Sequence, residues 1–391
     1  MKKVLFLPLF TMESGHHKTT DAIIEAFQDE FPSILCKKVD FLHFMSPALE
    51  KGISRFYINW IKKAPSYYSS FYHHFFSQDS HLIQGIYESI FIEKMEELLV
   101  REQPDLIVCT HSFSSYLVGK LKKYRVLTIP VINIYTDFFM NSLWNKNDID
   151  WHFVPSHHVK TELKKTGVPA ENIKISGICV NDKITIKKKR KLYNIPVHIL
   201  VAGGNLGLIN EFNLTQGGGP RSSSAEYKVL CGTNSRLYES IKDIQDPSVI
   251  PYPYIASQEK MNELYDWADL IITKPGGVTV SEALRKQLPI FLHSVLPGQE
   301  EKNVEYLQTR DLVYILHSHL NFEGQIFSFI QNQPVAFKKY KAVQSYLNEI
   351  ELNTSAEVCR FIEKQILGYG ETEHSAYIDT IFHKLYGNLE H

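Results

Sequence analysis

The strongest constraint on this chain is a repeated change of hydrophobic period. Short apolar runs bounded by polar loops alternate with longer stretches whose apolar residues recur at helical spacing. In the first half the runs are Val4–Leu9, Leu106–Thr110, Val131–Tyr135 and Trp151–Pro155. In the second half they are His198–Ala202, Lys228–Cys231, Leu270–Thr273 and Ile290–His293. Amphipathic segments such as Thr19–Phe31, Ser156–Thr166 and Val278–Lys286 lie between them. Strand alternating with helix predicts an α/β fold with parallel sheets covered on both faces. The alternation fails over Ile184–Ile195, where Lys187, Lys188, Lys189, Arg190 and Lys191 are consecutive, and then restarts. With 391 residues the chain is long enough for two domains. The predicted division is 1–185, 196–370 and a helical tail over 371–391. The basic run reads as a solvated linker or as a patch facing anionic lipid.

Composition narrows the function classes. A net charge of −1 argues against a dedicated nucleic-acid binder, so no nucleic-acid partner is expected. The five cysteines are widely spaced and form no CxxC, which fits a reducing compartment and gives no zinc ribbon. The apolar run after Met1-Lys2-Lys3 is short, contains Pro8 and leads into Glu13-Ser14-Gly15-His16-His17, so it reads as a buried strand rather than a signal peptide. No window reaches the roughly 20 apolar residues of a membrane span. No HExxH or paired-Asp motif calls for a metal, and no cofactor is expected.

Three segments after successive second-half strands carry chemistry. Val201-Ala202-Gly203-Gly204-Asn205-Leu206-Gly207 runs from a strand into a glycine turn. There backbone N–H groups can approach an anion, though a turn without a ligand reads equally well. In Thr273-Lys274-Pro275-Gly276-Gly277-Val278-Thr279-Val280-Ser281-Glu282, Lys274 and a helix N-terminus at Gly276-Gly277 suit a diphosphate. Glu282 can accept both hydroxyls of a ribose, but Thr279-x-x-Glu282 also reads as a capping box. In Pro297-Gly298-Gln299-Glu300-Glu301-Lys302-Asn303, Gln299 and Glu300 can bind sugar hydroxyls or simply begin a solvated helix. A fourth segment, Gln216–Ser224, is rich in glycine and serine and reads as a loop. In the first half, His16, His111 and Asp137 all follow apolar strands, the strand-end position where α/β sheets bind ligands. Each alone reads as a structural polar residue, and the three together suggest a cleft with His16 as a general base.

From Phe56 to Phe76, nine of 21 residues are aromatic. Ile53, Phe56, Tyr57, Trp60 and Ile61 share one helical face beside Arg55, Lys62 and Lys63. After Pro65, the residues Tyr67, Tyr68, Phe71, Tyr72, Phe75 and Phe76 form a second face. The pattern fits core packing between helices and equally an interfacial helix that meets lipid.

Lys274-Pro275-Gly276-Gly277-x-Thr279-x-Ser281-Glu282-Ala283-Leu284 followed by Pro297-Gly298-Gln299-Glu300-x-x-Asn303 resembles the monogalactosyldiacylglycerol synthase and processive diacylglycerol glucosyltransferase family. These are relatives of the enzyme that adds GlcNAc to lipid I. Ser14-Gly15-His16, Thr110-His111, Thr136-Asp137-Phe138, Gly177-Ile178 and Cys231-Gly232-x-Asn234 extend the resemblance. It implies a GT-B fold of two facing Rossmann-like domains, and inverting, metal-independent transfer from a UDP-sugar to diacylglycerol or a related membrane lipid. By position it implies that Gly204 and Gly207 meet the diphosphate, that Glu282 meets the ribose, and that Gln299 and Glu300 meet the donor sugar. The backbone at Tyr254–Ile255 would read uracil, Asn303 would belong to the donor site, and His16 would be the base. His111, Asp137 and Asn141 would lie on the acceptor side, with Asn141 standing where the family usually has His. The expected location is cytoplasmic, peripheral on the inner face of the membrane. A hydrolysing UDP-sugar epimerase and a non-catalytic nucleotide-sugar-binding protein remain alternative readings of the same fold.

Overall fold

The computed structural model describes residues 1–368 except 10, 12–13, 49, 53–80, 125, 186–194, 205–206, 208–223, 294, 296–297 and 318. The aromatic segment, the basic run, the Gln216–Ser224 loop and the tail after 370 therefore lie outside the described residues, wholly or nearly so. In chain order the first unit contains β1 (Lys3–Leu7), α1 (Gly15–Glu30), β2 (Leu35–Lys38), α2 (Phe41–Met45) and α3 (His81–Glu102). It continues with β3 (Leu106–Cys109), α4 (Ser112–Lys123), β4 (Val131–Ile134), β5 (Trp151–Val154), α5 (His157–Lys165) and β6 (Ile173–Ile175). The second unit contains β7 (Val197–Ala202), β8 (Ala225–Leu230), α6 (Ser235–Asp243), β9 (Val249–Tyr252), α7 (Gln258–Trp267), β10 (Leu270–Thr273) and α8 (Gly277–Arg285). After these come β11 (Ile290–Leu292), α9 (Gln299–Thr309), β12 (Tyr314–Ile315), α10 (Phe322–Gln331), α11 (Gln333–Asn348) and α12 (Ser355–Ile362).

The strands form two six-stranded sheets, ordered β2-β1-β3-β4-β5-β6 and β12-β11-β10-β7-β8-β9, with every pairing parallel. Strand order reverses beside β1 and β3 in the first sheet and beside β7 and β10 in the second. A crevice opens at such a switch point, because the loops on its two sides depart to opposite faces. The inner strands are buried on both faces, as Val4 to Leu7, Leu106 to Cys109 and Leu270 to Thr273 show. Each fully buried aliphatic side chain there contributes about 1.5–3 kcal/mol.

The four strands at the sheet edges, β2, β6, β9 and β12, are the four that the apolar runs do not predict. β2 reads Leu-Cys-Lys-Lys and is mostly exposed, and β12 is two half-buried residues long. An edge strand has one neighbour and less cover, so it needs no continuous apolar run. Helix starts also differ. α1 begins at Gly15 rather than Thr19, which draws His16 into its first turn. Ser156 caps α5, its hydroxyl accepting from the Val159 N–H.

Apolar clusters fill both faces of both sheets. One of them joins the units: Phe138, Ile178, Val180 and Ile184 pack with Leu200, Val280, Leu284, Tyr306 and Tyr346. The chain then returns. In α12 and the π-helical turn after it, Val358, Cys359, Ile362, Ile366 and Leu367 pack with Ile23 and Phe27 of α1. Residues 355–367, which the sequence division placed in the second unit, thus belong by packing to the first. The Asp182 carboxylate anchors this return, accepting from the Ser355 and Ala356 N–H groups at 2.9 and 2.8 Å.

Candidate active site

Both switch-point crevices carry the polar residues singled out from the sequence. In the first unit, β1 leads to His16 and β3 leads to His111. Their rings meet edge to face with centroids 4.6 Å apart. His16 Nδ1 lies 2.8 Å from the Thr110 carbonyl oxygen and 2.8 Å from Thr136 Oγ1. A carbonyl oxygen only accepts, so Nδ1 carries the proton and Nε2 is the basic atom of the neutral ring. Burial holds the His16 pKa below its ordinary 6.5, while the Asp137 charge and the Thr110 hydrogen bond pull it upward. The ring is therefore neutral at physiological pH, the state a general base requires. His111 has a second task. Its Nδ1 accepts from the Phe113 N–H at 3.1 Å, capping α4. Burial and then the nearby His16 and His17 charges hold its pKa well below 6.5. Asn141 Nδ2 donates to Ser112 Oγ at 3.3 Å, beside the start of the same helix.

In the second unit, β7 leads to Gly204 and β10 to Lys274 and Gly276. The two glycines of the first turn differ. Gly204 has φ +72° and a Cβ there would meet nothing within 4 Å among the described residues. Gly207 has φ +55° and a Cβ would fall 2.0 Å from the Cys231 carbonyl oxygen. Gly204 thus faces space that a ligand can use, whereas Gly207 is required by packing. Gly276 also faces open space, while a Cβ on Gly277 would lie 2.1 Å from the Thr136 carbonyl oxygen in the first unit. Only glycine lets α8 approach the loop that holds His16 this closely.

The structure removes the capping-box reading of Thr279-x-x-Glu282. Gly276 is the N-cap of α8, and Thr279 and Glu282 both lie inside the helix. Glu282 is instead buried, and the Tyr265 hydroxyl donates to its Oε2 at 2.6 Å. Burial raises the Glu282 pKa, opposed by the Lys18 charge from α1 and by the Tyr265 bond. A buried carboxylate held at one oxygen by a neighbouring hydroxyl is suited to receiving further hydroxyl donors. Lys274 is nearly buried; next to it, burial and then the Lys274 charge push His293 down to about 4. Tyr254 is exposed and Ile255 half-buried, on the loop between β9 and α7, the helix that supplies Tyr265.

At α9, Glu301 rather than Gln299 or Glu300 takes the helix-start role. Its carboxylate accepts from the Gly298 N–H at 3.0 Å, and Gln299 and Glu300 beside it are half-buried. Gln299 and Asn141 both line a groove of about 970 Å³ between the units, together with Phe138, His158, Lys302 and Tyr306. Asn303 is buried, and its three hydrogen bonds all run to protein atoms, in the segments at Asp137–Phe138 and at Pro275. The sequence reading missed Tyr265 and Lys18 as partners of Glu282, and Thr110 and Thr136 as the groups that fix the His16 tautomer. Both threonines lie at strand ends, which was the available signal.

Residues 16–180 match the family described as monogalactosyldiacylglycerol (MGDG) synthase, and residues 198–318 match the glycosyltransferase family 28 C-terminal domain. An uncharacterized glycosyltransferase, YkoN of Bacillus subtilis strain 168, is 36% identical over 374 residues, covering 93% of this chain and 98% of that protein. A processive diacylglycerol beta-glucosyltransferase of Bacillus cereus strain G9842 is 30% identical, covering 66% of this chain and 68% of the relative. The chain belongs to this glycosyltransferase family. Among solved structures, Acinetobacter baumannii MurG aligns with a TM-score of 0.57 at 15% identity, covering 93% of this chain and all of that one. A UDP-GlcNAc 2-epimerase from Neisseria meningitidis aligns with a TM-score of 0.52 at 15% identity, covering 94% of this chain and 100% of that one. At such identity these likenesses show the fold alone, and that fold is GT-B. Among the described residues no helix is long and apolar enough to cross a membrane.

Proposed function

We propose that this glycosyltransferase moves a hexose from a UDP-hexose to a hydroxyl of diacylglycerol or a related membrane lipid, with inversion and without a metal. The observation that carries the reading is the meeting of two differently equipped crevices. A neutral imidazole with its proton fixed on Nδ1 stands in the first, and a buried carboxylate, a lysine and an open glycine turn stand in the second. The α1 and α8 starts lie side by side: a Cβ on Gly15 would fall 3.5 Å from Val278 Cγ2.

In this mechanism Glu282 accepts the ribose hydroxyls, and the turns at Gly204 and Gly276 with Lys274 hold the diphosphate. Gln299 and Glu300 bind the hexose, and the backbone at Tyr254–Ile255 reads the base. His16 Nε2 takes the proton of the acceptor hydroxyl as its oxygen attacks the anomeric carbon. The bond from that carbon to the diphosphate breaks on the opposite side, and UDP leaves into the positive potential of Lys274 and the α8 N-terminus.

The groove beside Gln299 suits an uncharged acceptor. Its two cations are paired, Lys302 with Glu305 at 2.9 Å and Arg310 with Glu349, and the Glu301 carboxylate accepts from the Gly298 N–H. The aromatic stretch over 56–76, with its flanking Arg55, Lys62 and Lys63, is the candidate for contact with an anionic lipid surface on the cytoplasmic side. The test is to incubate the protein with UDP-glucose or UDP-galactose, with and without diacylglycerol vesicles, in EDTA. UDP release that requires the lipid, with a hexosyl lipid as product, is expected, and whichever nucleotide supports it identifies the hexose. A changed sugar nucleotide without lipid would make the protein an epimerase, and UDP binding with no turnover would make it a binding protein.

A further inference from the structure

Asn303 lies on the second turn of α9, the helix that presents Gln299 and Glu300, and is 1% exposed. Its Nδ2 donates to Asp137 Oδ1 at 2.9 Å and to the Pro275 carbonyl at 3.0 Å. Its Oδ1 accepts from the Phe138 N–H at 2.8 Å. The partners dictate the orientation of the amide, because the carboxylate and the carbonyl can only accept and the peptide N–H can only donate. Both N–H donors are therefore committed to protein atoms, leaving none for a hydroxyl of the donor sugar.

The three partners come from the segments that build the two halves of the site. Asp137 and Phe138 directly follow Thr136, which bonds His16 Nδ1. Pro275 directly precedes Gly276 and Gly277, the start of the helix that carries Glu282. We infer that Asn303 is a positioning residue, a cross-unit tie that sets the base side of the cleft in register with the donor side, rather than a ligand of the donor. The inference deepens the glycosyl-transfer reading and rests on it for its kinetic arm alone.

The chemistry of the tie is specific to an amide of this length. Alanine at 303 would leave a buried carboxylate, a buried carbonyl and a buried N–H without their partner, and aspartate would set a second carboxylate against Asp137 while keeping only the Phe138 bond. The groups that face His16 are the Thr110 carbonyl, the Thr136 hydroxyl, the His111 ring and the charges of Asp137 and His17. Of these, Asn303 directly holds Asp137. The two variants should therefore move the His16 titration in opposite directions. Asn303→Ala frees Asp137 to turn toward water and lowers the midpoint, and Asn303→Asp adds negative charge and raises it, each by about half a pH unit.

The test follows the His16 imidazole by NMR across pH, its signal identified by its loss in His16→Gln, with folding checked by thermal melting. Opposite shifts in the two variants are expected. An unchanged midpoint in folded variants would overturn the inference, and this arm needs no turnover, so it stands apart from the failure of the proposed reaction. With UDP-hexose and diacylglycerol, Asn303→Ala is expected to lower kcat about tenfold with KM for the nucleotide within about twofold. A raised KM with kcat retained would make Asn303 a donor ligand and overturn the inference. If alanine prevents folding, the exchange Asp137→Asn with Asn303→Asp restores a carboxylate–amide pair across the units. Turnover above that of either single variant supports the tie, and strictly additive losses overturn it.

Discussion

The two sheets are both six-stranded and parallel with one reversal of strand order, placed between β1 and β3 in the first and between β7 and β10 in the second, and different groups stand at the two reversals. At the first switch point the polar groups are imidazoles, fixed by a carbonyl, a threonine hydroxyl and a peptide N–H, and desolvated so that they stay uncharged. At the second they are a lysine, a carboxylate and glycines that leave room. In the proposed reaction one crevice moves a proton and the other holds an anion and its sugar. A switch point thus fixes where chemistry occurs in such a sheet, while a few residues after each strand decide which chemistry it is.

The sharpest way to break this comparison is His16→Ala. It should cost about a thousandfold in kcat while leaving UDP affinity unchanged, since a positioned general base contributes roughly 10²–10⁴-fold. Comparable losses in both quantities would mean that the first crevice also binds the donor. Glu282→Ala should have the converse signature, weakening UDP binding about thirtyfold by titration calorimetry, because a hydrogen bond to a charged group is worth about 1.5–3 kcal/mol. Thr136→Val keeps the shape but removes one of the two oxygens at His16 Nδ1. It should lower kcat by about three- to tenfold, the scale of one neutral hydrogen bond. The smallest effect sharpens the second crevice. Burial raises the Glu282 pKa above its unfolded value, so ionised Glu282 weakens the fold as pH rises through the folded pKa. Glu282→Gln should therefore raise the melting temperature at pH 7 by about 2 °C in the absence of UDP, while losing UDP affinity.

The same desolvation gives the pH dependence a sign. The folded pKa of His16 lies below 6.5, so turnover should stay level down to that pH and fall only as pH drops through the lower value. A fall that already begins above 6.5 would point to a base other than His16.

How much of this was legible in the sequence follows from what each residue must satisfy. Inner strands such as β1, β3 and β10 announce themselves because a strand covered on both faces has to be apolar along its length. The edge strands, such as Ile173–Ile175 and Tyr314–Ile315, satisfy no such demand and stayed hidden. His16, His111 and Lys274 could be singled out because strand ends are short and their positions are set by the strand. The Tyr265–Glu282 bond joins residues 17 positions apart on two helices, and the Asn303–Asp137 bond joins residues 166 apart in different units. Local spacing carries no trace of either. The capping-box reading of Thr279 and Glu282 failed because the helix starts three residues earlier, at Gly277, where only a glycine fits beneath the Thr136 carbonyl.

The return of the chain to the first unit has a mechanical consequence. The backbone crosses between the units once between Ile184 and Val197 and again between Asn348 and Ser355. Two bodies joined by a single strand can swing about a point, whereas two bodies joined at two places turn about the line through them, as a door turns on a pair of pins. One of those pins, the α12 start on Asp182, leads directly into packing against α1, the helix that bears His16. Any opening of the cleft would then turn about one axis, and His16 would move together with α12.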